Sequence, residues 1–200
     1  MTDTEPALPP PIVPCVARAL SPLLRRIAAD VDGEAGVNTY LVGIDEIAVI
    51  DPGPTADHLD AICGCGGDRI QWILVTGAVD QSGVAELRRR TGARVVAVEG
   101  VGPDDADEVL APGTSLLGTE FRLTAVVAPG LGGPRTAFVL EEERTLIAGD
   151  WLDPDTEVVD APARAAAVGA LRRKRLRAVA PAHGQLVEHA ADVVRAIAGG

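Results

Sequence analysis

The pattern of hydrophobic and polar positions along the chain predicts short strands in two groups, with helices between them. Apolar and β-branched runs bounded by Gly, Pro, Asp and Asn indicate strands, because those four residue types favour turns. The predicted strands cover residues 16–20, 23–28, 38–42, 46–50, 72–76, 94–98, 118–126, 137–141, 145–148 and 176–180. Polar loops are predicted over residues 30–36 and 100–106.

Residues typical of helix ends lie between several of these predicted strands. Thr55 is a candidate N-cap for a helix over residues 56–63, and Gly92 ends a second predicted helix over residues 82–91. Two further helices are predicted over residues 161–172 and 190–198. Because each half of the chain combines β-hairpins with helices, we predict an α/β fold, an αββα four-layer sandwich of two mixed β-sheets flanked by helices.

Length and composition predict one globular domain. Of the 200 residues, 47% are hydrophobic, which is enough to bury a core. We assign the domain to residues 15–200, and we expect residues 1–14, which hold five prolines, to be mobile or loosely laid against it. The formal net charge of -11 repels phosphate backbones and anionic lipid, so neither nucleic acid nor a membrane surface is an expected partner. Without a signal peptide or a spanning segment, we expect a cytoplasmic protein.

The cysteines and two of the histidines carry weak functional signals. Three cysteines without an export signal do not describe a disulfide framework, so reduced thiols are expected. Cys63-Gly64-Cys65 has two interpretations, a metal or redox pair and a small-residue loop between a helix and a strand, of which the loop is favoured. His58 has acidic neighbours that suggest a solvated surface, and His189 begins the last predicted helix. Neither histidine is predicted to be a metal ligand.

Four segments of distinctive sequence follow one another at predicted strand ends. They are Asn38-Thr39-Tyr40-Leu41-Val42 with Ile50-Asp51-Pro52-Gly53, residues 73–83, Ala128-Pro129-Gly130 with residues 137–150, and Ala180-Pro181-Ala182-His183-Gly184. In this order they resemble the opening hairpin, the metal-motif strand, the Pro-Gly-His turn with the bridging-aspartate strand, and the closing Pro-x-His-Gly of the metallo-β-lactamase superfamily, especially its glyoxalase II-like hydrolases. The resemblance implies the αββα sandwich and, for the family, hydrolysis by a water that two metal ions activate.

The same resemblance implies that most metal ligands of the family are replaced here. The family strand ends in Thr-His-x-His-x-Asp-His, whereas residues 76–83 read Thr-Gly-Ala-Val-Asp-Gln-Ser-Gly. Carried over residue by residue, the first histidine is Gly77, the second falls at Val79 or in a one-residue deletion, and the third is Gln81. The histidine of the Pro-Gly-His turn is Leu131. The retained ligands are Asp80, Asp150 and His183.

These losses leave too few donors for two metal ions. A catalytic zinc takes three protein donors, commonly with two or more imidazoles, at about 2.0 to 2.2 Å. We therefore expect no cofactor; the alternative is one divalent ion, Zn, Mn or Fe, held by Asp80, Asp150 and His183. Without metal, two neighbouring carboxylates raise one pKa unless a donor intervenes, and Arg135 is a candidate for that donor. Arg135 and Trp151 are the candidate substrate-binding residues, with a solvated loop and a core position as their respective alternatives.

The sequence supports three functional hypotheses. The preferred one is a non-hydrolytic pseudoenzyme or binding protein on this scaffold. The second is a divergent hydrolase of ester- or thioester-like substrates in which Asp80, Asp150 and His183 are catalytic, with one metal ion or through metal-free acid and base chemistry. The third is a structural subunit of an oligomer. The expected partner is a small molecule or a protein, and assembly into a homo-oligomer is an alternative.

Overall fold

The first of two β-sheets follows the order of the chain. The computed structural model describes residues 17–31, 34–77, 81–128, 135–149, 151 and 161–190. The first sheet contains, in spatial order, β1 (Arg18–Ala19), β2 (Leu24–Val31), β3 (Glu34–Val42), β4 (Ile47–Ile50), β5 (Ile70–Leu74), β6 (Arg94–Val98) and β7 (Glu108–Leu110). Strands β1 to β4 pair antiparallel, whereas β4 to β7 run parallel. The helices α1 (Ala56–Gly66) and α2 (Gln81–Thr91) supply the crossovers between β4, β5 and β6 that parallel pairing requires.

The second sheet is mostly antiparallel. It contains β8 (Ser115–Leu117), β9 (Arg122–Ala128), β10 (Arg135–Leu140), β11 (Thr145–Gly149), β12 (Ala178–Pro181) and β13 (Val187–Glu188), and β13 and β8 are its two edges among the described residues. Only the pair β11 and β12 within it is parallel, and α3 (Ala161–Arg173) lies between these strands along the chain.

Three apolar clusters hold the layers together. The cluster between the sheets joins side chains of both, among them Leu24, Tyr40, Ile50, Leu74, Leu123, Phe138 and Ile147. A second cluster packs Leu59 and Ile62 of α1, with Val84 and Leu87 of α2, against the outer face of the first sheet. A third packs Val168 and Leu171 of α3 against the outer face of the second sheet. The layers are therefore helix, sheet, sheet and helix, which confirms the predicted αββα sandwich.

The first helix shows how the local sequence sets its limits. Thr55 is extended, with φ -75° and ψ 149°, and its hydroxyl accepts a hydrogen bond from His58 N at 3.3 Å, which confirms the predicted N-cap. Gly67 follows the last residue of α1 with φ 53°, a left-handed conformation that glycine adopts without a Cβ penalty.

Several predicted boundaries are wrong. The predicted loop over residues 30–36 is largely strand, because β2 reaches Val31 and β3 begins at Glu34, with these two residues paired. Cys63 and Cys65 lie inside α1 rather than in a loop, since the helix continues to Gly66. The three-residue strands β7 and β8 were not predicted. The predicted N-terminal segment over residues 1–14 and nearly all of the predicted last helix, 190–198, lie outside the described residues. No helix in the described ranges is both long and apolar enough to cross a membrane.

Candidate functional site

The carboxyl ends of the parallel strands meet at one end of the sandwich, which we call the mouth. It comprises Asp51, Thr76, Gly77, Arg135, Gly149 and residues 182–184. Asp51 follows β4 and Thr76 lies just beyond β5, and parallel pairing places these two strand ends side by side. Backbone hydrogen bonds join the two sheets here, from Thr136 N to Thr76 O at 2.6 Å and from Asn38 N to Ala182 O at 2.7 Å. Ligands of open α/β sheets bind at such carboxyl ends, so the mouth is the candidate site.

A buried carboxylate holds the ends of β4 and β5 together. Asp51 is 3% exposed, its Oδ1 accepts a hydrogen bond from Thr76 N at 2.8 Å, and its Oδ2 accepts one from Thr76 Oγ1 at 2.6 Å. The backbone φ of Asp51 is 54°, in the left-handed region that costs most residues free energy. Such a conformation persists where the surroundings fix it, and here the two bonds from Thr76 do so.

The hydrogen bonds around His58, which lies near Asp51, determine which of its ring nitrogens carries the proton. Its Nε2 is 2.8 Å from Thr39 Oγ1, which also donates to Asp51 O at 2.6 Å and accepts from Gly53 N at 3.2 Å. Because the one hydroxyl proton of Thr39 is directed at Asp51 O, His58 Nε2 must carry the imidazole proton. His58 Nδ1 is then unprotonated, and it is buried without a hydrogen-bond partner in the described part of the chain.

The environment of His58 also corrects a prediction. The residue is 1% exposed, so the expected solvated position is wrong. Position 58 lies one turn before Ile62 on the buried face of α1, and the ring contacts Gly53, whose added Cβ would come within 3.0 Å of Nδ1. Burial lowers the pKa of His58 to about 4, because the charged imidazolium loses its hydration there.

Glycine is required at position 149, at the end of β11, because there is no room for a Cβ and because the backbone has a positive φ. Its φ is 57°, and a Cβ at this position would lie 2.1 Å from Thr76 Oγ1. No side chain fits at that distance without displacing Thr76, which also bonds Asp51. The close approach of Gly149 therefore ties the second sheet to the Asp51–Thr76 pair.

Gly77 lies against Arg135, the first residue of β10. A Cβ on Gly77 would come 2.7 Å from Arg135 Cδ and 3.1 Å from Arg135 Nε. The φ of Gly77 is not in the left-handed region, so its backbone admits other residues, and the three nearest described atoms that an added Cβ would meet all belong to Arg135. The stem of Arg135 thus occupies the space in which a side chain at position 77 would begin.

His183 is exposed on a loop whose carbonyl groups accept hydrogen bonds from buried side chains of the first sheet. Pro181 O accepts hydrogen bonds from Asn38 Nδ2 at 2.9 Å and from Tyr40 Oη at 2.6 Å. Gly184 O accepts from Asn38 Nδ2 at 3.1 Å and from Arg26 Nη1. Burial raises the pKa of Tyr40, so its hydroxyl remains a donor over the accessible pH range. The loop therefore presents the His183 imidazole to solvent on a fixed backbone.

The structure brings together only part of the predicted site. Asp80 and Asp150 lie outside the described residues, so the ligand set Asp80, Asp150 and His183 stays a prediction. Where side chains are described, no three of His, Cys, Asp and Glu lie close enough together to hold a metal ion. Trp151 is 1% exposed in the cluster under α3, with Nε1 buried and unbonded. Its role in substrate binding also stays a prediction.

Sequence reasoning identified Gly77, Arg135 and His183 as site positions but missed the buried polar residues that hold the mouth together. Asp51, Thr76, Asn38 and Tyr40 are polar residues within or directly after otherwise apolar strand segments. A polar side chain at such a position is buried and needs a hydrogen-bond partner. This requirement could have identified the four residues as structurally important from the sequence. The partners themselves come from distant parts of the chain, so the pairing could not be deduced from spacing.

Comparison with known proteins relates this architecture to solved structures. No protein-family model matches the sequence, and no curated protein shows significant sequence similarity to it. A peroxy diiron form of the chemotaxis sensor ODP is similar with a TM-score of 0.70 and 18% identity, covering 92% of this chain and 95% of that one. A metallo-β-lactamase from Pontibacter korlensis has a TM-score of 0.70 and 15% identity, covering 92% and 97% of the two chains.

A metallo-β-lactamase family protein from Thermus thermophilus has a TM-score of 0.71 and 19% identity, covering 90% of this chain and 80% of that one. The three similarities extend over at least 90% of this chain. At these identities they establish the architecture and not the activity. The chain has the metallo-β-lactamase fold.

Proposed function

We propose that this chain is a non-hydrolytic pseudoenzyme, a metallo-β-lactamase-fold protein that binds a small molecule or a protein partner at the mouth without a dinuclear metal centre. The observation that carries the proposal is the contact between Arg135 and Gly77. Position 77 corresponds to the first metal-binding histidine of the family motif. An imidazole there would begin with a Cβ only 2.7 Å from Arg135 Cδ.

The donor set at the mouth does not fit the family's two ions. The motif positions of four histidines hold Gly77, Leu131 and Gln81, with the fourth at Val79 or in a deletion. Arg135 adds a permanent positive charge next to the position of the first ligand, and a like charge opposes a bound cation. Loss of imidazole donors and gain of a guanidinium both disfavour the metals that the family uses.

The guanidinium has a second role in this proposal. Metal ions neutralise clustered carboxylates in such sites. Without the ions, the negative charges of Asp80 and Asp150 would still require a compensating positive charge. A guanidinium binds carboxylates in a planar, bidentate geometry that an ammonium group cannot reproduce. Arg135 would therefore supply the compensating charge, and the exposed His183 would be available for contact with the ligand. One of the similar structures is a chemotaxis sensor, which supports a binding role on this fold.

Elemental analysis of protein purified without chelator, combined with hydrolysis assays on ester and thioester substrates, tests the proposal. We expect substoichiometric Zn, Mn and Fe and no turnover. The variant Gly77→His should lose stability, and Arg135→Ala should relieve most of that loss in the double variant, with a coupling of about 1–2 kcal/mol in urea unfolding. Two tightly bound ions per chain together with hydrolysis would refute the proposal.

A divergent hydrolase is the second candidate, and the exposed His183 on its hydrogen-bonded loop favours it. One divalent ion on Asp80, Asp150 and His183 would polarise a substrate or a water, and the chain itself would orient the imidazole through Asn38 and Tyr40. A pH-dependent activity that disappears in His183→Ala and survives in His189→Ala would support it. His189 is a suitable control because it is also exposed, on the far side of β13 along the chain. The absence of turnover across the substrate panel counts against it.

A further inference from the structure

Two arginines face each other across the first strand pair. In the register of β1 and β2, Arg18 lies directly opposite Arg26. Residues directly opposite in an antiparallel pair project from the same face, and like charges in that arrangement destabilise the sheet. Leu24, two residues before Arg26, lies in the cluster between the sheets, so this face is the inner one. In a chain with a net charge of -11, such a pair calls for a physical reason.

Both guanidinium groups end at the same short segment. Arg26 Nη1 donates to Gly184 O, and Arg18 Nη1 lies 3.5 Å from Gln185 Oε1. Gly184 and Gln185 are consecutive, so the two positive charges converge where the chain leaves the His183 loop. The two arginines therefore contact neighbouring residues of one segment and are also paired in register.

Arg26 is a buried cation that forms no ion pair with the described residues. It is 7% exposed, and its Nε is buried with no hydrogen-bond partner. Neither Arg18 nor Arg26 makes an ion pair with any described residue. Burying a guanidinium away from a counter-charge is costly, and an anion bound nearby offsets part of that cost.

A cleft adjoins this pair. It has a volume of about 370 Å³ and is lined by Arg18, Ala19, Leu20, Gln185, Leu186 and Glu188. Among the described residues, β1 is an edge of the first sheet and β13 is an edge of the second, and the cleft lies between these two edges. The one acidic group among the lining residues, Glu188, is exposed, so solvent screens its charge.

We propose that Arg18 binds an oxyanion, the phosphate or carboxylate group of a small molecule, in the cleft between β1 and β13. The Arg18 guanidinium supplies charge-assisted hydrogen bonds, the Gln185 amide adds a neutral donor, and Arg26, opposite Arg18 on β2, adds positive charge from behind the residues that line the cleft. Arg18 and Gln185 lie outside the mouth, whereas Arg26 contacts it through Gly184 O. Binding of an anion by Arg18 does not require the proposed pseudoenzyme function.

Isothermal titration of the full chain with inorganic phosphate, and separately with acetate, at constant ionic strength tests the site. We expect saturable binding of at least one anion, weakened about 10- to 100-fold by Arg18→Gln or Arg26→Gln. The control Arg122→Gln, an exposed arginine on β9, should leave the affinity unchanged. Arg18 is exposed, so Arg18→Gln keeps the test decisive if Arg26→Gln fails to fold. The tighter of the two anions identifies the preferred group.

Three results would overturn the site. One is the absence of saturable binding of either anion by the wild-type chain. Another is an unchanged affinity in Arg18→Gln. The third is binding that Arg135→Ala abolishes and Arg18→Gln retains, because the anion would then occupy the mouth. Only this last result bears on the mouth, so failure of the arginine pair and failure of the proposed function remain distinguishable.

Discussion

Acidification should destabilise this protein through His58, because its imidazole is buried in the neutral form. Protonation of Nδ1 would create a donor with no acceptor next to Gly53, and it would place a charge in the core behind the mouth. The perturbation is therefore a fall in pH from 7 to 4.5. The matched variant is His58→Gln, whose amide nitrogen can still donate to Thr39 Oγ1 and cannot titrate.

The magnitude follows from the two pKa values of His58. The ordinary value of 6.5 applies to the unfolded chain, and burial lowers the folded-state pKa to about 4. Between these values the unfolded state binds the proton more tightly, so stability is complete above pH 6.5 and is lost as the pH falls toward 4. The full loss is about 3 kcal/mol, of which about 2.5 kcal/mol is lost by pH 4.5.

Urea unfolding at pH 7 and pH 4.5, followed by circular dichroism, measures this loss. The wild type should lose about 2.5 kcal/mol more than His58→Gln between the two pH values, and the exposed-site control His189→Gln should behave like the wild type. Carboxylates titrate alike in all three proteins, including Glu86, whose pKa hydrogen bonds from Arg89 and Arg90 lower to about 2. An equal loss in the wild type and in His58→Gln would refute the reasoning. So would an imidazole titration of His58 by NMR with a midpoint near 6.5.

Three further predictions concern the packing of the mouth, each measured by urea unfolding at pH 7. Thr76→Val removes the 2.6 Å bond to a buried carboxylate of Asp51 and should cost about 2–3 kcal/mol, whereas Thr76→Ser should retain most of the stability. Gly149→Ala should cost about 3 kcal/mol, since it meets both a φ of 57° and the Thr76 hydroxyl, while Gly64→Ala on α1, with open space around it, should gain about 1 kcal/mol. Thr136→Val should be neutral or stabilising by about 1 kcal/mol, because the buried Thr136 hydroxyl has no partner. Equal losses of stability in Thr76→Val and Thr76→Ser would contradict the role of the Thr76 hydroxyl. Equal effects of the two glycine changes would contradict the close packing at Gly149. A large loss of stability in Thr136→Val would contradict the unpaired state of the Thr136 hydroxyl.

The order of strands and helices could be predicted because local patterns determine most of it. Thr55 and Gly92 mark helix limits by capping and by backbone freedom, and both act within a few residues. The predicted boundaries of strands and loops are wrong where strand pairing in the folded protein outweighs the local amino-acid composition. Val31 and Glu34 pair across a segment whose polar residues indicated a loop, and the three-residue strand β7 is strand only because it lies beside β6.

The candidate site was less accessible to sequence reasoning. The motif resemblance located Gly77 and His183 at strand ends, but it gave no sign that Arg135 fills the space beside Gly77. His58 was placed on the surface because its neighbours are acidic, although the neighbours of a helical residue in space are three and four positions away. Burial of a polar side chain depends on partners from distant segments, such as Thr39 for His58, and a single sequence does not identify them.

A mouth without metal ions needs another means of fixing its strand ends, and the buried polar groups provide one. In metal centres the ligands of several loops are joined through the ion, so the ion itself crosslinks the strand ends. Here Asp51 joins β4 to Thr76, Gly149 packs on the same threonine from the second sheet, and Asn38 holds the His183 loop. Each link is a direct contact between protein groups and requires no bound ion. These contacts would keep the mouth in order without metal ligands, which is the physical condition that the proposed pseudoenzyme requires.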